Sequence, residues 1–251
     1  MLNTIQIEDI MAIAKDAGEV VMEIYQRDFD VDYKDDASPL TEADLASNEV
    51  IVKALQKYNL PILSEEGKSI AYDERKEWEY YWCIDPIDGT KEFIKKNDEF
   101  TVNIALIHIN TPVLGVVYAP ALGEMYTAKK GESAFKNGQK LPLKQNDFPE
   151  NSLVVVASKS HLSEETQAFI DEIAKTTKTI TQQSRGSSLK LVMIAEGAAD
   201  VYPRLAPTME WDTAAADAIV REAGKMTYQF ENNEPMVYNK ENLLNPWFVV
   251  K

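Results

Sequence analysis

The chain opens on a helical rhythm. Ile10, Ile13, Ala14, Ala17, Val20, Val21 and Ile24 recur at three- and four-residue steps within residues 5–26, giving one apolar face of an amphipathic helix. A polar stretch, Asp28–Ser38, and then Pro39 end that rhythm. Thr41–Tyr58 predicts a second helix, with Thr41 as N-cap and Asp44 as its acidic partner three residues on. Pro61 opens a short strand, PILSEE, which runs into the polar segment Gly67–Arg75.

In the middle of the chain the period shortens. Tyr80–Ile84, Phe100–Ile109, Pro112–Tyr118 and Glu124–Lys129 are β-branched or aromatic runs parted by turn residues. Asn137-Gly138, between Ser133–Lys136 and Gln139–Leu143, predicts a hairpin. From about residue 150 strand and helix patterns alternate: Leu153–Ala157, Ser163–Thr176, Thr179–Gln182, Ser188–Gly197, Asp200–Pro203 and Asp212–Ala223. The expectation is an α/β (α+β) chain. Residues 1–150 would form an antiparallel sheet with helices, and residues 151–251 an α/β-layered subdomain packed closely on it. There is no internal repeat, low-complexity tract or flexible linker.

Composition narrows the function classes. The 251 residues carry 26 Lys+Arg against 41 Asp+Glu, a formal charge of −15. That length buries a sizeable core. No run approaches the roughly 18 apolar residues needed to span a bilayer, and the N-terminal segment lacks the basic head and apolar run of a signal or transit peptide. One cysteine, Cys83, excludes a disulfide framework or a cysteine-rich zinc site and fits a reducing cytoplasm. The acidic balance argues against charge-driven nucleic-acid binding. An anionic ligand would need local positive charge, which bound metal ions can supply.

Four segments place carboxylates beside a turn or a helix start: Thr41–Asp44, Ser64-Glu65-Glu66-Gly67, Asp85-Pro86-Ile87-Asp88-Gly89-Thr90, and Trp211-Asp212-Thr213-Ala214-Ala215. Hard divalent cations such as Mg²⁺ take oxygen ligands, and two such ions can stabilise both the attacking and the leaving oxygen of a phosphoryl transfer. Asp85–Thr90 follows an apolar strand. Pro86 stiffens the chain between the two aspartates, and the Gly89 and Thr90 N–H groups could meet a phosphate oxygen as the next helix begins. Each segment also has an ordinary local reading. Asp-Pro and Asp-Gly are turn chemistry, Thr41 with Asp44 is a capping pair, Glu65-Glu66 suits a solvated turn, and Asp212 suits an N-cap. Their joint presence, in this order, favours the functional reading.

That joint pattern resembles the inositol monophosphatase superfamily of Mg²⁺-dependent, lithium-sensitive phosphatases over almost the whole chain. It is closer still to one branch, the CysQ-type 3′(2′),5′-bisphosphate nucleotidases, through the run DPIDGTKEFIKKNDEFTVNIALI (85–107), SKSH (158–161), GSSLK (186–190) and YPR (202–204). The resemblance implies the layered α-β-α-β-α sandwich shared with fructose-1,6-bisphosphatase. It implies that Glu65, Asp85 and the Ile87 carbonyl hold one Mg²⁺, that Asp85, Asp88 and Asp212 hold a second, and that any third ion lies near Glu65. Thr90 and Asp44 would orient and deprotonate the attacking water. Gly89, Thr90, Ser158, His161, Gly186, Ser187, Lys190 and Arg204 would surround the nucleotide. Lys159 stands where the branch commonly has arginine, which keeps the charge but loses the fork.

The implied reaction converts 3′-phosphoadenosine 5′-phosphate to AMP and phosphate, with the 5′-phosphosulfate as a second substrate, in sulfur metabolism. An inositol or sugar phosphatase with the same metal core is the alternative. Lys190 and Arg204 favour the nucleotide, because a monophosphate needs no second cationic clamp. Monomer and homodimer both fit. Peripheral association with the inner membrane face is left open, although the acidic chain offers no polybasic anchor.

Overall fold

The computed structural model describes residues 1–34, 39–143, 152–157, 163–176 and 179–251. Helix α1 (Ile7–Tyr25) leads through the short antiparallel pair β1 (Val31–Tyr33) and β2 (Pro39–Thr41) into α2 (Glu42–Leu55). A seven-stranded sheet follows, of β3 (Ile62–Ser64), β4 (Tyr80–Asp88), β5 (Thr101–His108), β6 (Thr111–Ala119), β7 (Glu124–Lys129), β8 (Ala134–Lys136) and β9 (Gln139–Lys140), neighbours in that order. Every adjacent pair is antiparallel except β3 with β4. Helix α3 (Tyr72–Arg75) lies in the β3–β4 connection, a helical turn where only a polar segment was expected, and α4 (Thr90–Ile94) follows β4.

Alternation along the strands sorts side chains to two faces. Trp82, Ile84, Val102, Ile104, Leu106, Leu114 and Val116 pack with α1 and α2. Tyr81, Cys83, Ala105, Ile107, Val117 and Ala119 join the core on the other face. With both faces covered, these strands read as continuous apolar runs.

The second face meets the later elements. They are β10 (Ser152–Ala157), α5 (Glu164–Ala174), β11 (Thr179–Ser184), α6 (Leu189–Glu196), β12 (Tyr202–Arg204), α7 (Glu210–Glu222), β13 (Thr227–Gln229) and β14 (Phe248–Val250). Helices α6 and α7 form the middle layer. The parallel pair β10–β11 and the sheet β12-β14-β13 lie beyond them, and α5 packs outside through Ile170. This is the expected five-layer sandwich. One core runs from Leu63 to Val250 across both halves, and the expected boundary near residue 150 falls outside the described residues.

Contact between α7 and the sheet is close because both sides are small. Ala214, Ala215, Ala216 and Ala218 are buried on the helix, and Gly115 lies beneath them on β6. A Cβ built on Gly115 would sit 2.2 Å from the Ala215 carbonyl oxygen and 2.8 Å from the Ala218 Cβ. Only glycine fits there.

Candidate active site

The end of β4 carries the Asp85–Thr90 segment. In a regular strand residues three apart face opposite sides, so Asp85 and Asp88 would diverge. Here Asp85 pairs with Asn103 and Asp88 with Thr101, so three steps on β4 match two on β5. That one-residue bulge returns both carboxylates to the face that meets α7. Ile87 N–H donates to Asp85 Oδ1 at 3.0 Å, and Ser47 Oγ donates to the Pro86 carbonyl at 2.8 Å, tying the bulge to α2. Gly89 then turns the chain at φ +93°, a conformation that favours glycine, and α4 begins.

Glu65 comes from the end of β3, beside β4, and Asp212 from the first turn of α7. Carboxylate oxygens of Glu65, Asp85 and Asp212 lie within 4.8 Å of one another. Asp212 also caps its helix, Oδ2 accepting from Met209 N–H at 2.8 Å. Burial, then the neighbouring carboxylates, pushes Asp85 well above the usual carboxylate range. Burial and Asp88 do the same to Asp212. Burial also raises Glu65, against the pull of Lys34, whose ammonium lies 2.8 Å from Glu65 and 2.5 Å from Glu66. An all-oxygen set of mutually repelling, buried carboxylates is the donor set that a hard divalent cation fits.

Asp44 and Thr90 meet. Thr90 Oγ1 donates to Asp44 Oδ1 at 3.1 Å and lies 3.3 Å from the Ile87 carbonyl. Asp44 Oδ2 accepts from Thr41 N–H at 2.8 Å and Thr41 Oγ1 at 2.7 Å, so the capping role and the contact with Thr90 coexist in one carboxylate. Burial raises the Asp44 pKa although the Thr41 hydrogen bonds pull it down.

Other residues at the site come, like Asp212, from the second half of the chain. Gly186 N–H donates to Glu99 Oε2 at 2.9 Å, and a Cβ at Gly186 would meet the Glu99 carbonyl oxygen at 2.6 Å. Ser187 Oγ and Ser188 N–H both reach Asp88 Oδ2, at 2.6 and 2.5 Å. Lys190 Nζ donates to the Ser187 carbonyl at 2.6 Å and the Arg185 carbonyl at 3.2 Å, and burial lowers its pKa to about 8. Arg204, on β12, donates from Nη2 to the Pro207 carbonyl at 3.0 Å, and its buried Nε finds no acceptor among the described residues.

Glu65, Asp85, Ile87, Asp88, Gly89, Thr90, Ser187, Lys190, Arg204 and Asp212 line one cavity of about 350 Å³, so the carboxylates and the two cations share it. Asp44 adjoins it through Thr90, and Gly186 flanks it beside Ser187. Ser158 and His161 lie outside the described residues.

With that geometry in place, the comparisons are specific. The model of the inositol monophosphatase family matches residues 3–246. The chain belongs to the inositol monophosphatase family. Among family members, the 3′(2′),5′-bisphosphate nucleotidase CysQ of Salmonella typhimurium is 41% identical over 250 residues, covering 97% of this chain and 98% of that one. The crystal structure of CysQ from Bacteroides thetaiotaomicron superposes with a TM-score of 0.89 at 44% identity, covering 97% and 96%. The suhB protein of Bartonella henselae, at 23% identity and a TM-score of 0.79, shares the fold.

Three features in or beside the cavity were missed in the sequence. Lys34 sits in a polar stretch with no pattern to mark it. Glu92 lines the cavity and is raised by burial, and it was assigned no role from the sequence. Thr101 and Asn103 lie in an apolar run, where two small polar residues at alternate positions of a buried strand were the available signal.

Proposed function

We propose that this chain is a Mg²⁺-dependent 3′(2′),5′-bisphosphate nucleotidase that hydrolyses 3′-phosphoadenosine 5′-phosphate to AMP and phosphate, and its 5′-phosphosulfate analogue as a second substrate. The observation that carries the reading is that Lys190 and Arg204 line the same cavity as the carboxylates. A substrate with two phosphates can engage both sets of charge, and the CysQ relatives are named for such a substrate.

Glu65, Asp85 and the Ile87 carbonyl would hold one Mg²⁺, Asp85, Asp88 and Asp212 a second, and a third would lie near Glu65. Bound there, Mg²⁺ supplies a more acidic water and neutralises charge on the oxygens of the phosphoryl group. Thr90 Oγ1, its own proton directed to Asp44, accepts a hydrogen bond from the attacking water. Asp44, raised by burial, is the terminal acceptor of that proton. Water then displaces the ribose 3′-oxygen in line, and no covalent enzyme intermediate forms. Gly89 and Thr90 N–H groups face the reacting phosphate, while Ser158, His161, Gly186, Ser187, Lys190 and Arg204 surround the rest of the nucleotide. Lithium inhibition, a cytoplasmic setting and a role in sulfur metabolism follow from the same reading. No helix among the described residues is long and apolar enough to cross a membrane.

The test is phosphate release with and without Mg²⁺ from the nucleotide, inositol 1-phosphate and fructose 1,6-bisphosphate, with Asp88→Ala alongside. Nucleotide preference that needs Mg²⁺ and vanishes in the variant supports the proposal. Preference for inositol or sugar phosphate overturns the substrate and keeps the metal core.

A further inference from the structure

We infer that Thr101, working through Ser187, is a positioning residue for the Asp88 carboxylate. The inference rests on the proposed role of Asp88 as a metal ligand.

Four polar groups stand between β5 and the start of α6. Thr101 Oγ1 lies 2.6 Å from Ser187 Oγ, 2.8 Å from Ser188 Oγ and 3.2 Å from Asn103 Oδ1. Ser188 Oγ donates to Asn103 Oδ1 at 3.0 Å. Thr101, Asn103 and Ser188 are at most 1% exposed, so solvent does not complete or break these contacts.

Counting protons gives the cluster a direction. Ser187 Oγ donates to Asp88 Oδ2, so its single hydroxyl proton is directed there. The 2.6 Å contact between Ser187 and Thr101 then needs the Thr101 proton. Asn103 Oδ1, at the longer distance of 3.2 Å, is a second acceptor for that proton; with it directed to Ser187, the contact between Thr101 and Ser188 needs the Ser188 proton, which Asn103 Oδ1 also shares. The hydroxyls form a one-way series ending on Asp88. Removing the Thr101 hydroxyl leaves Ser187 Oγ without a donor and free to rotate off the carboxylate.

Backbone geometry depends on the same contacts. Ser187 has φ +52°, the left-handed region that non-glycine residues rarely adopt. That conformation places the Ser188 N–H on the oxygen that Ser187 Oγ already reaches. Asp88 Oδ2 thus takes two donors, while Oδ1 accepts no hydrogen bond among the described residues and is left for a cation. The β4 bulge sets Thr101 opposite Asp88, so β5, the strand paired with the bulge, supplies the residue that steadies the carboxylate.

The experiment is Mn²⁺ titration of the apo protein, with free Mn²⁺ read by electron paramagnetic resonance and folding checked by thermal melts. Asp88→Asn, Thr101→Val and Thr101→Ser are compared with wild type. Asp88→Asn should remove or strongly weaken one binding step. Thr101→Val, near-isosteric but without the hydroxyl, should weaken that same step about tenfold, as loss of an outer-shell partner does. Thr101→Ser keeps the hydroxyl and loses only the methyl, so it should melt earlier yet bind Mn²⁺ within about twofold of wild type. Equal weakening by both Thr101 variants, or a wild-type step in Thr101→Val where Asp88→Asn loses it, overturns the inference and leaves the metal reading standing. An unchanged step in Asp88→Asn overturns both. If Thr101→Val does not fold, Ser188→Ala removes the next donor and should weaken the same step about threefold; no change there overturns the inference.

Discussion

Gly115→Ala places a methyl group where β6 meets α7, far along the chain from any candidate ligand. The new Cβ would lie 2.2 Å from the Ala215 carbonyl oxygen and 2.8 Å from the Ala218 Cβ. Carbon and oxygen settle at roughly 3.3 Å, so α7 must retreat by about 1 Å. The obstacle is helix backbone, which cannot rotate aside, so the cost lies at the upper end of overpacking, about 3 kcal/mol. For a chain of this size that lowers Tm by about 6–12 °C. Asp212 stands in the first turn of α7 and moves with it, and a misplacement of about 1 Å at a reacting centre costs on the order of 100-fold in rate. The assay pairs thermal melts with Mg²⁺-dependent phosphate release at 25 °C. Ile170→Ala, in the α5 core cluster away from the cavity, serves as control because it loses comparable stability without touching α7. Gly115→Ala should lose both Tm and kcat/KM, and Ile170→Ala only Tm. If Gly115→Ala lost Tm but kept kcat/KM and its Mg²⁺ dependence, α7 would not be the rigid beam that sets Asp212.

Three further predictions follow from the cavity. Thr90→Val should lower kcat by about 10²–10³-fold with Mn²⁺ affinity unchanged, since it removes a proton relay and no ligand; loss of Mn²⁺ binding in a titration would refute that role. Arg204→Ala and Lys190→Ala should each raise the nucleotide KM by on the order of tenfold or more, with little effect on any inositol 1-phosphate turnover; equal losses on both substrates would remove the second-phosphate assignment. Lys190, lowered by burial to about 8, is charged below that pH and neutral above it, so nucleotide KM should rise as pH passes about 8. A pH–KM profile checks this, and the limb should be absent in Lys190→Ala.

Much of the fold was legible because long periodic segments carry their own signal. The helix expected over residues 5–26 is α1, Ile7–Tyr25, and the run Glu124–Lys129 is β7 with the same ends. Shorter elements were not. β1, β2 and β13 are three residues each and exist through their partners, not through local preference. The expected strand Asp200–Pro203 appears as Tyr202–Arg204, moved along the chain by pairing with Phe248–Val250. The carboxylates were readable as motifs, and the resemblance implied that they converge, but the bulge by which they do so was not legible. A bulge is a mismatch between two strands, so the sequence of β4 alone cannot show that Asp85 and Asp88 share a face. Lys34 reaches the site by tertiary packing across distant segments, which no local pattern encodes.

The sheet beyond α6 and α7 has its strands in the order β12-β14-β13, so the segment latest in the chain lies in the middle. On the ribosome, β12 and β13 emerge before the strand that joins them. Domains fold as units, and the one core here includes Phe248 and Val250, so it cannot close until β14 is out. Every candidate carboxylate from Glu65 to Asp212 is made before that strand, and Arg204 meets its partner Phe248 only once it arrives. In the order of synthesis, the core beneath the candidate site closes on β14, after the residues of the site are already in the chain.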